Sequence, residues 1–304
     1  GFKKGETLEN GGITGAASLT TTATVLSGVG IYDIQAQIGT LSSGNYEFTF
    51  VKGSLAIQKA SLTVTADNKS KVYGAVNPSL TVTYNGFVNN ETPANAGLIG
   101  APSLTTTASA SSAVGTYPIQ VSVGTLASAN YNFTYLPGSL TIGKATLKIS
   151  ADAKTRNYGM ANPTLTATYT GFVNGETLAT SGITGKPALT TIATPTSAAG
   201  IYPINAASGT LSSGNYAFDI TGSSITVNKA TLTITADNKS KIYGDAVPAL
   251  TATYFGFMNG ETLATSGISG QLQLSTEVTK ASGAGVYDIV ANGSAMASGN
   301  YNLV

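Results

Sequence analysis

Ala60-Ser-Leu62-Thr-Val64-Thr-Ala66-Asp67-Asn-Lys-Ser-Lys71-Val-Tyr73-Gly74 returns as Ala145-Thr-Leu-Lys-Ile-Ser-Ala-Asp152-Ala-Lys-Thr-Arg-Asn-Tyr158-Gly159 and as Ala230-Thr-Leu-Thr-Ile-Thr-Ala-Asp237-Asn-Lys-Ser-Lys-Ile-Tyr243-Gly244, each time after the same interval. Within the first copy, Leu62, Val64 and Ala66 alternate with Thr63, Thr65 and Asp67. That is the period of a strand with one buried face. Gly1-Phe2 recurs at Gly86, Gly171 and Gly256, and Asn45-Tyr46 at Asn130, Asn215 and Asn300. Tyr32, Tyr117, Tyr202 and Tyr287 keep the same step. Self-similarity at a fixed period marks an array of one module. An active site is needed once, whereas a length, a stiffness or a valency needs copies.

The phase of the repeat gives a partial unit (1–59), two whole units (60–144 and 145–229) and a unit lacking its last strand (230–304). Gly1 aligns with mid-module Gly86 and Val304 with mid-module Asp219, so further modules are expected on either side. No stretch approaches the ~20 apolar residues that a membrane helix needs.

Composition narrows the function. The 304 residues include no Cys, His or Trp, and 15 basic residues face 14 acidic ones, for a net charge of +1. Hydrophobic residues make up 42% and alternate regularly, which argues against disorder. The basic residues are spread along the chain rather than clustered, so nucleic acid is not an expected partner. Without His or Cys, Ser-His-Asp, Cys-His and His-metal sites are excluded within these residues.

Residues 60–144 read as a series of short strands. After Tyr73-Gly74, Asn77-Pro78 is turn chemistry. Leu80, Val82 and Tyr84 then alternate with Thr81 and Thr83. Asn89-Asn90-Glu91-Thr92 leads into a stretch ending at Gly97, which in the next unit runs from Gly175 to Gly182. One or two helical turns ended by Gly are expected there. Further strands are marked by Leu104, by Tyr117, Ile119 and Val121, by Tyr131, Phe133 and Tyr135, and by Leu140 and Ile142. The expected fold is mainly β, a rod of tandem modules. Each module is expected to be β-grasp-like with one short helical segment; the alternative is an immunoglobulin-like β-sandwich of about seven short strands.

The junctions lack linkers. Leu55 and Ile57 bury odd positions, while Leu62 and Val64 bury even ones, so parity flips across Lys59-Ala60. It flips again at Lys144-Ala145 and Lys229-Ala230. A one-residue slip moves side chains to the opposite face, so the chain leaves one core and enters the next there. Flexible linkers are longer and rich in Gly and Ser. A semi-rigid rod is therefore expected, each module adding roughly 30–45 Å from strands of about eight residues at ~3.3 Å each plus turns.

The run from Ala230 to Pro248, with Gly256-Phe257, Asn259-Gly260-Glu261-Thr262, Gly285-Val-Tyr287 and Gly299-Asn300-Tyr301, resembles the MBG-type (YGX/YDG) repeats of very large bacterial surface proteins. The resemblance spans the whole chain. Tyr73-Gly74-Ala75 and Tyr158-Gly159-Met160 lack the Asp that Asp245 supplies, so the third position reads as a turn preference rather than a chemical requirement. The resemblance implies extracellular adhesins and filamentous-haemagglutinin-like proteins, in which such arrays form stalks.

Several recurring positions carry candidate chemistry. Glu91, Glu176 and Glu261 recur with Asp67, Asp152 and Asp237 as their in-phase acidic companions on a different strand, a weak basis for paired carboxylates. No Asp-x-Asp-x-Asp run exists for calcium, and the Asp residues read as strand-end or turn caps. Lys69, Asn130 and Glu91, repeated as Lys154, Asn215 and Glu176, are the one combination that could crosslink as an isopeptide; surface Lys and turn Asn is the plainer reading. Tyr84, Tyr117 and Tyr131 share parity with aliphatics and read as core with hydroxyls at the rim, rather than as a glycan platform. Thr63, Thr65 and Thr105-Thr106-Thr107 read as β-favouring surface, not as an ice-binding array. Lys69, Lys71 and Pro78 sit near strand ends, where they guard edges. No catalytic, cofactor-binding or metal-binding residue is assigned and no cofactor is expected.

The sequence thus points to a non-enzymatic stalk or spacer segment of a giant extracellular bacterial adhesin, holding a distal binding or motility tip and transmitting force. The alternative is a multivalent module that binds glycans or neighbouring filaments through repetition. Expected partners are adjacent modules of the same chain, with parallel copies in a filament or surface glycans as further candidates, and no membrane contact by this segment.

Overall fold

A computed structural model describes residues 1–304 as strands joined by turns, without a helix. The chain divides into two compact units, Gly1–Gly143 and Lys144–Val304.

In the first unit, the module beginning at Ala60 builds two sheets. A leading strand, Ala60–Ala66, lies between Tyr131–Leu136 and Val82–Asn85 in a three-stranded sheet. The chain then crosses at Asp67 and Asn68 into a four-stranded sheet ordered Lys69–Val72, Gly138–Gly143, Gly115–Ser122, Ser103–Thr106. The alternation read from the sequence is what the two sheets bury. Leu62 and Val64 from one and Ile119, Leu140 and Ile142 from the other are each at most 1% exposed. Of the two layouts compatible with the strand order, the pairing follows the two-sheet one, because there is no helix for a single sheet to cover.

The short helical segment expected before Gly97 is absent. Asn95 and Ala96 N–H donate to Thr92 O at 3.1 and 2.9 Å, and Thr92 N–H to Asn95 Oδ1 at 2.6 Å. This single turn is confined between Asn90 (φ +60°) and Gly97 (φ +65°). The next module repeats it at Thr177, between Gly175 (φ +71°) and Gly182 (φ +68°). Too few residues lie between these left-handed positions to offset the cost of nucleating a helix.

The partial module 1–59 forms a three-stranded sheet of Ser18–Thr21, Gly30–Gln37 and Gly53–Ile57, plus the short pair Ile13–Thr14 with Ser42–Ser43.

In the second unit the same topology returns. Ala145–Ala151 lies between Ala167–Thr170 and Tyr216–Thr221, and Ser223–Asn228 lies between Lys154–Asn157 and Gly200–Ala207. Ala151 from one sheet and Ala193, Ile204 and Ile225 from the other side share a core. In the last module Ala230–Ala236 pairs with Ala252–Phe255 and Tyr301–Leu303, and Gln273–Ser275 pairs with Val290–Asn292.

At each crossing between sheets an Asp holds the bend. The Asp67 carboxylate accepts the hydroxyls of Thr81 and, at 2.6 Å, Thr83, while Lys69 Nζ donates to Thr81 Oγ1 at 2.7 Å. Asp152 with Thr166, Thr168 and Lys154 repeats the arrangement. The hydroxyls hold both carboxyls below the ordinary carboxylate range. These Asp residues therefore cap a sheet crossing.

Candidate functional site at the module joint

The Tyr-Gly pair that defines the repeat forms a β-turn. Met160 N–H donates to Asn157 O at 3.1 Å, which places Tyr158 second and Gly159 third, with φ +81° at Gly159. A positive φ in the third place is what a type II turn demands of its glycine. Ala75 and Asp245 close the same turn through their own N–H groups, onto Val72 and Ile242. The residue after Tyr-Gly thus contributes a backbone donor, and Ala, Met and Asp all serve.

The turn aims Tyr158 into the next module. Its hydroxyl donates to Glu261 Oε1 at 2.5 Å, while Tyr301 donates to Glu261 Oε2 at 2.5 Å. One carboxylate therefore bridges tyrosines from two modules, and both bonds are charge-assisted. Tyr301 in turn accepts Met258 N–H at 2.9 Å. The two tyrosine rings meet edge to face, with centroids 5.6 Å apart, and Phe257 adds a second such contact on Tyr301 at 5.8 Å. Burial, then the bond to Glu261, pushes the Tyr301 hydroxyl up to about 12. The bond to Glu261, with burial second, raises Tyr158.

The packing around this bridge is a core common to both modules. Tyr158 and Val227 of one join Ala230, Leu232 and Tyr301 of the next, each at most 4% exposed. Gly159 makes room for it: a Cβ there would lie 2.4 Å from Met258 Cβ. Two further bonds close the joint. Asn300 Oδ1 accepts Ala199 N–H at 3.0 Å, and Lys229 Nζ donates to Ser298 O at 2.6 Å. The first unit has the same pair across its own joint, Val29 N–H to Asn130 Oδ1 at 3.1 Å and Lys59 Nζ to Ser128 O at 2.8 Å. The Lys-Ala signature thus has a role for each residue. The Lys reaches across, and the Ala N–H starts the ladder by donating to the Asn130, Asn215 or Asn300 carbonyl.

A model of the MBG domain (YGX type) matches residues 1–56, 62–141, 147–226 and 232–304. The chain belongs to the MBG domain family, YGX type. Comparison with curated proteins and with solved structures finds no match. In this MBG array the Tyr-Gly and Lys-Ala pairs of the signature, with its Glu and Asn-Tyr, supply the residues of the joint.

The other candidates separate. Glu91 accepts Tyr131 at 2.5 Å, as Glu176 accepts Tyr216, so the recurring Glu serves as a tyrosine acceptor within each MBG module. Lys69 is on Thr81 and Asn130 on Val29, so Lys69, Asn130 and Glu91 are not brought together. No three acidic side chains converge. Lys71 turns inward and ties Ala75 O (2.8 Å) to Ser109 O (2.6 Å), and burial lowers its pKa. Arg156 takes that place in the next module, on Asn162, Asn157 and Thr194.

A cleft of about 720 Å³ in the last MBG module is lined by Lys239, Lys241, Tyr243, Gly285 and Tyr287. It lies where the preceding module holds Ser223–Asn228 between Lys154–Asn157 and Gly200–Ala207. The cleft therefore has the form of a strand slot rather than a small-molecule site.

The position of the joint is legible in the sequence, but the bridge across it is not, because Tyr158 and Glu261 are 103 residues apart. The available signal was phase: Tyr131 and Glu91 are 40 residues apart, and their equivalents keep that spacing.

Proposed function

We propose that this segment is a non-enzymatic spacer in the stalk of an extracellular, surface-attached bacterial protein, which holds a distal binding tip at a set distance and transmits force to it. The observation that carries this reading is the linkerless joint at Lys229-Ala230, where a carboxylate shared by two modules and a common core replace a flexible tether. Contacts of this kind restrain bending, which a spacer needs and a catalyst does not. A glycan-gripping array draws less support. Such sites use exposed aromatic faces, whereas no Tyr or Phe between 60 and 229 is exposed.

The test removes one period. Deletion of 145–229 takes out one whole repeat and leaves Tyr73, Gly74, Lys144, Ala230, Glu261 and Asn300 at the new joint, with Ile142 in the place of Val227. Small-angle scattering of the full chain and of this deletion should show a maximum dimension smaller by about 30–45 Å with an unchanged cross-section. A shortening well below that, or the scattering of a flexible chain, overturns the spacer reading.

A further inference from the structure

The leading and closing strands of each whole module run parallel, and one register relates them from end to end. Ala60 pairs with Tyr131 and Thr65 with Leu136; beyond the sheet crossing, Lys69 pairs with Leu140 and Val72 with Gly143. Every pair has the same separation in sequence, on both sides of the crossing. The next module repeats this from Ala145 with Tyr216 to Asn157 with Asn228. The two strands thus change sheets together, as a single two-stranded ribbon.

The position of the chain ends on this ribbon matters. The chain enters at Ala60, at one tip, and leaves at Gly143, at the other. Tension along the backbone therefore slides one strand along the other, and the ladder bonds share the load instead of breaking one at a time. The strand that takes the load at each tip is also flanked on both sides. Ala60–Ala66 lies between two strands, and Gly138–Gly143 lies between two strands of the other sheet. Neither pulled end is an edge that can be peeled.

We propose that each whole module is a shear clamp, its resistance to force set by the parallel ribbon of leading and closing strands. Its biological meaning rests on the spacer reading; the mechanical property does not. At the crossing, where the backbone ladder is interrupted, one clamp has an extra fastener. Asn68 Oδ1 accepts the N–H and the hydroxyl of Ser139 at 2.8 and 3.0 Å, in the same register as the paired strands. The equivalent of Asn68 in the next module is the exposed Ala153, facing the register position of Ser224.

The chain has no cysteine, so introduced thiols give unique handles. The full chain should be pulled from its two ends, and then from S61C and N132C, exposed neighbours at the same tip of the ribbon. End-to-end pulling should need at least about twice the force of the same-tip pull, since forced unfolding follows the barrier that the loaded bonds set. At constant force, Asn68→Ala should shorten the lifetime of its module about fivefold, the factor that one ordinary net hydrogen bond corresponds to. Ala153→Asn should lengthen that of the other module, so the inference does not depend on a damaged variant. Equal forces in the two directions, or lifetimes unmoved by both substitutions, overturn the clamp and leave the spacer reading, which scattering tests independently.

Discussion

Tyr158 and Gly159 do different jobs at the joint, and substitution separates them. Tyr158→Phe keeps the ring contact but leaves Glu261 Oε1 without its donor. A hydrogen bond to a charged group contributes about 1.5–3 kcal/mol, and denaturant unfolding should register a loss of that order. A double-mutant cycle with Glu261→Gln should show coupling, because the two side chains act on one bond. Gly159→Ala should cost about 1–3 kcal/mol, since an L side chain is strained at positive φ and its Cβ meets Met258. Gly244→Ala carries the φ penalty alone, because nothing lies within 4 Å of a Cβ there, so it should cost less. Titration adds a pH window. Tyr301 has its pKa raised from 10.0 to about 12 in the folded chain. Its contribution is therefore fully present below the unfolded value and lost as pH rises from about 10 to about 12. Unfolding followed by phenolate absorbance should show stability falling across that interval, and Tyr301→Phe should flatten the fall. The Asp residues at the sheet crossings have lowered pKa values. They act in the opposite sense, stabilising above the ordinary carboxylate value and losing that contribution as pH falls through the lowered one.

Among the strands, burial separates residues of similar chemistry. Leu147, fully buried on Ala145–Ala151, should cost about 2–5 kcal/mol on truncation to Ala, whereas Ile201, 74% exposed on Gly200–Ala207, should change stability little under the same denaturant measurement. Strand positions of this kind were legible in the sequence, because the alternation of Leu62, Val64 and Ala66 with Thr is a direct imprint of one buried face. The partner of each strand was not. Ala60 pairs with Tyr131 across most of a module of intervening chain, and nothing in a local pattern states that the pairing is parallel. The stretch before Gly97 misled for a related reason. Thr92 to Ala96 carries helix-compatible residues, but the left-handed backbone at Asn90 and Gly97 limits it to one turn. Glu91, which with Asp67 offered only a weak basis for a carboxylate pair, is a tyrosine acceptor, which only the folded strand order makes visible.

For the molecule as a whole, coupling through the joint should govern how modules unfold. Arrays whose units touch only their neighbours behave as one-dimensional cooperative systems. Calorimetry of the chain should therefore show Glu261→Gln broadening or splitting the transition of the 145–229 and 230–304 modules, and an unchanged profile would mean that the bridge does not couple them. The joint has one further consequence, for heredity. Its parts come from both neighbours, Tyr158 from one module and Glu261 from the next, and the period between copies is unbroken. Unequal recombination between two copies of the gene, wherever inside the repeat the strands exchange, deletes or inserts whole periods and regenerates a complete Tyr–Glu bridge at the new seam. Lineages could thus lengthen or shorten the protein in fixed increments without passing through a broken intermediate.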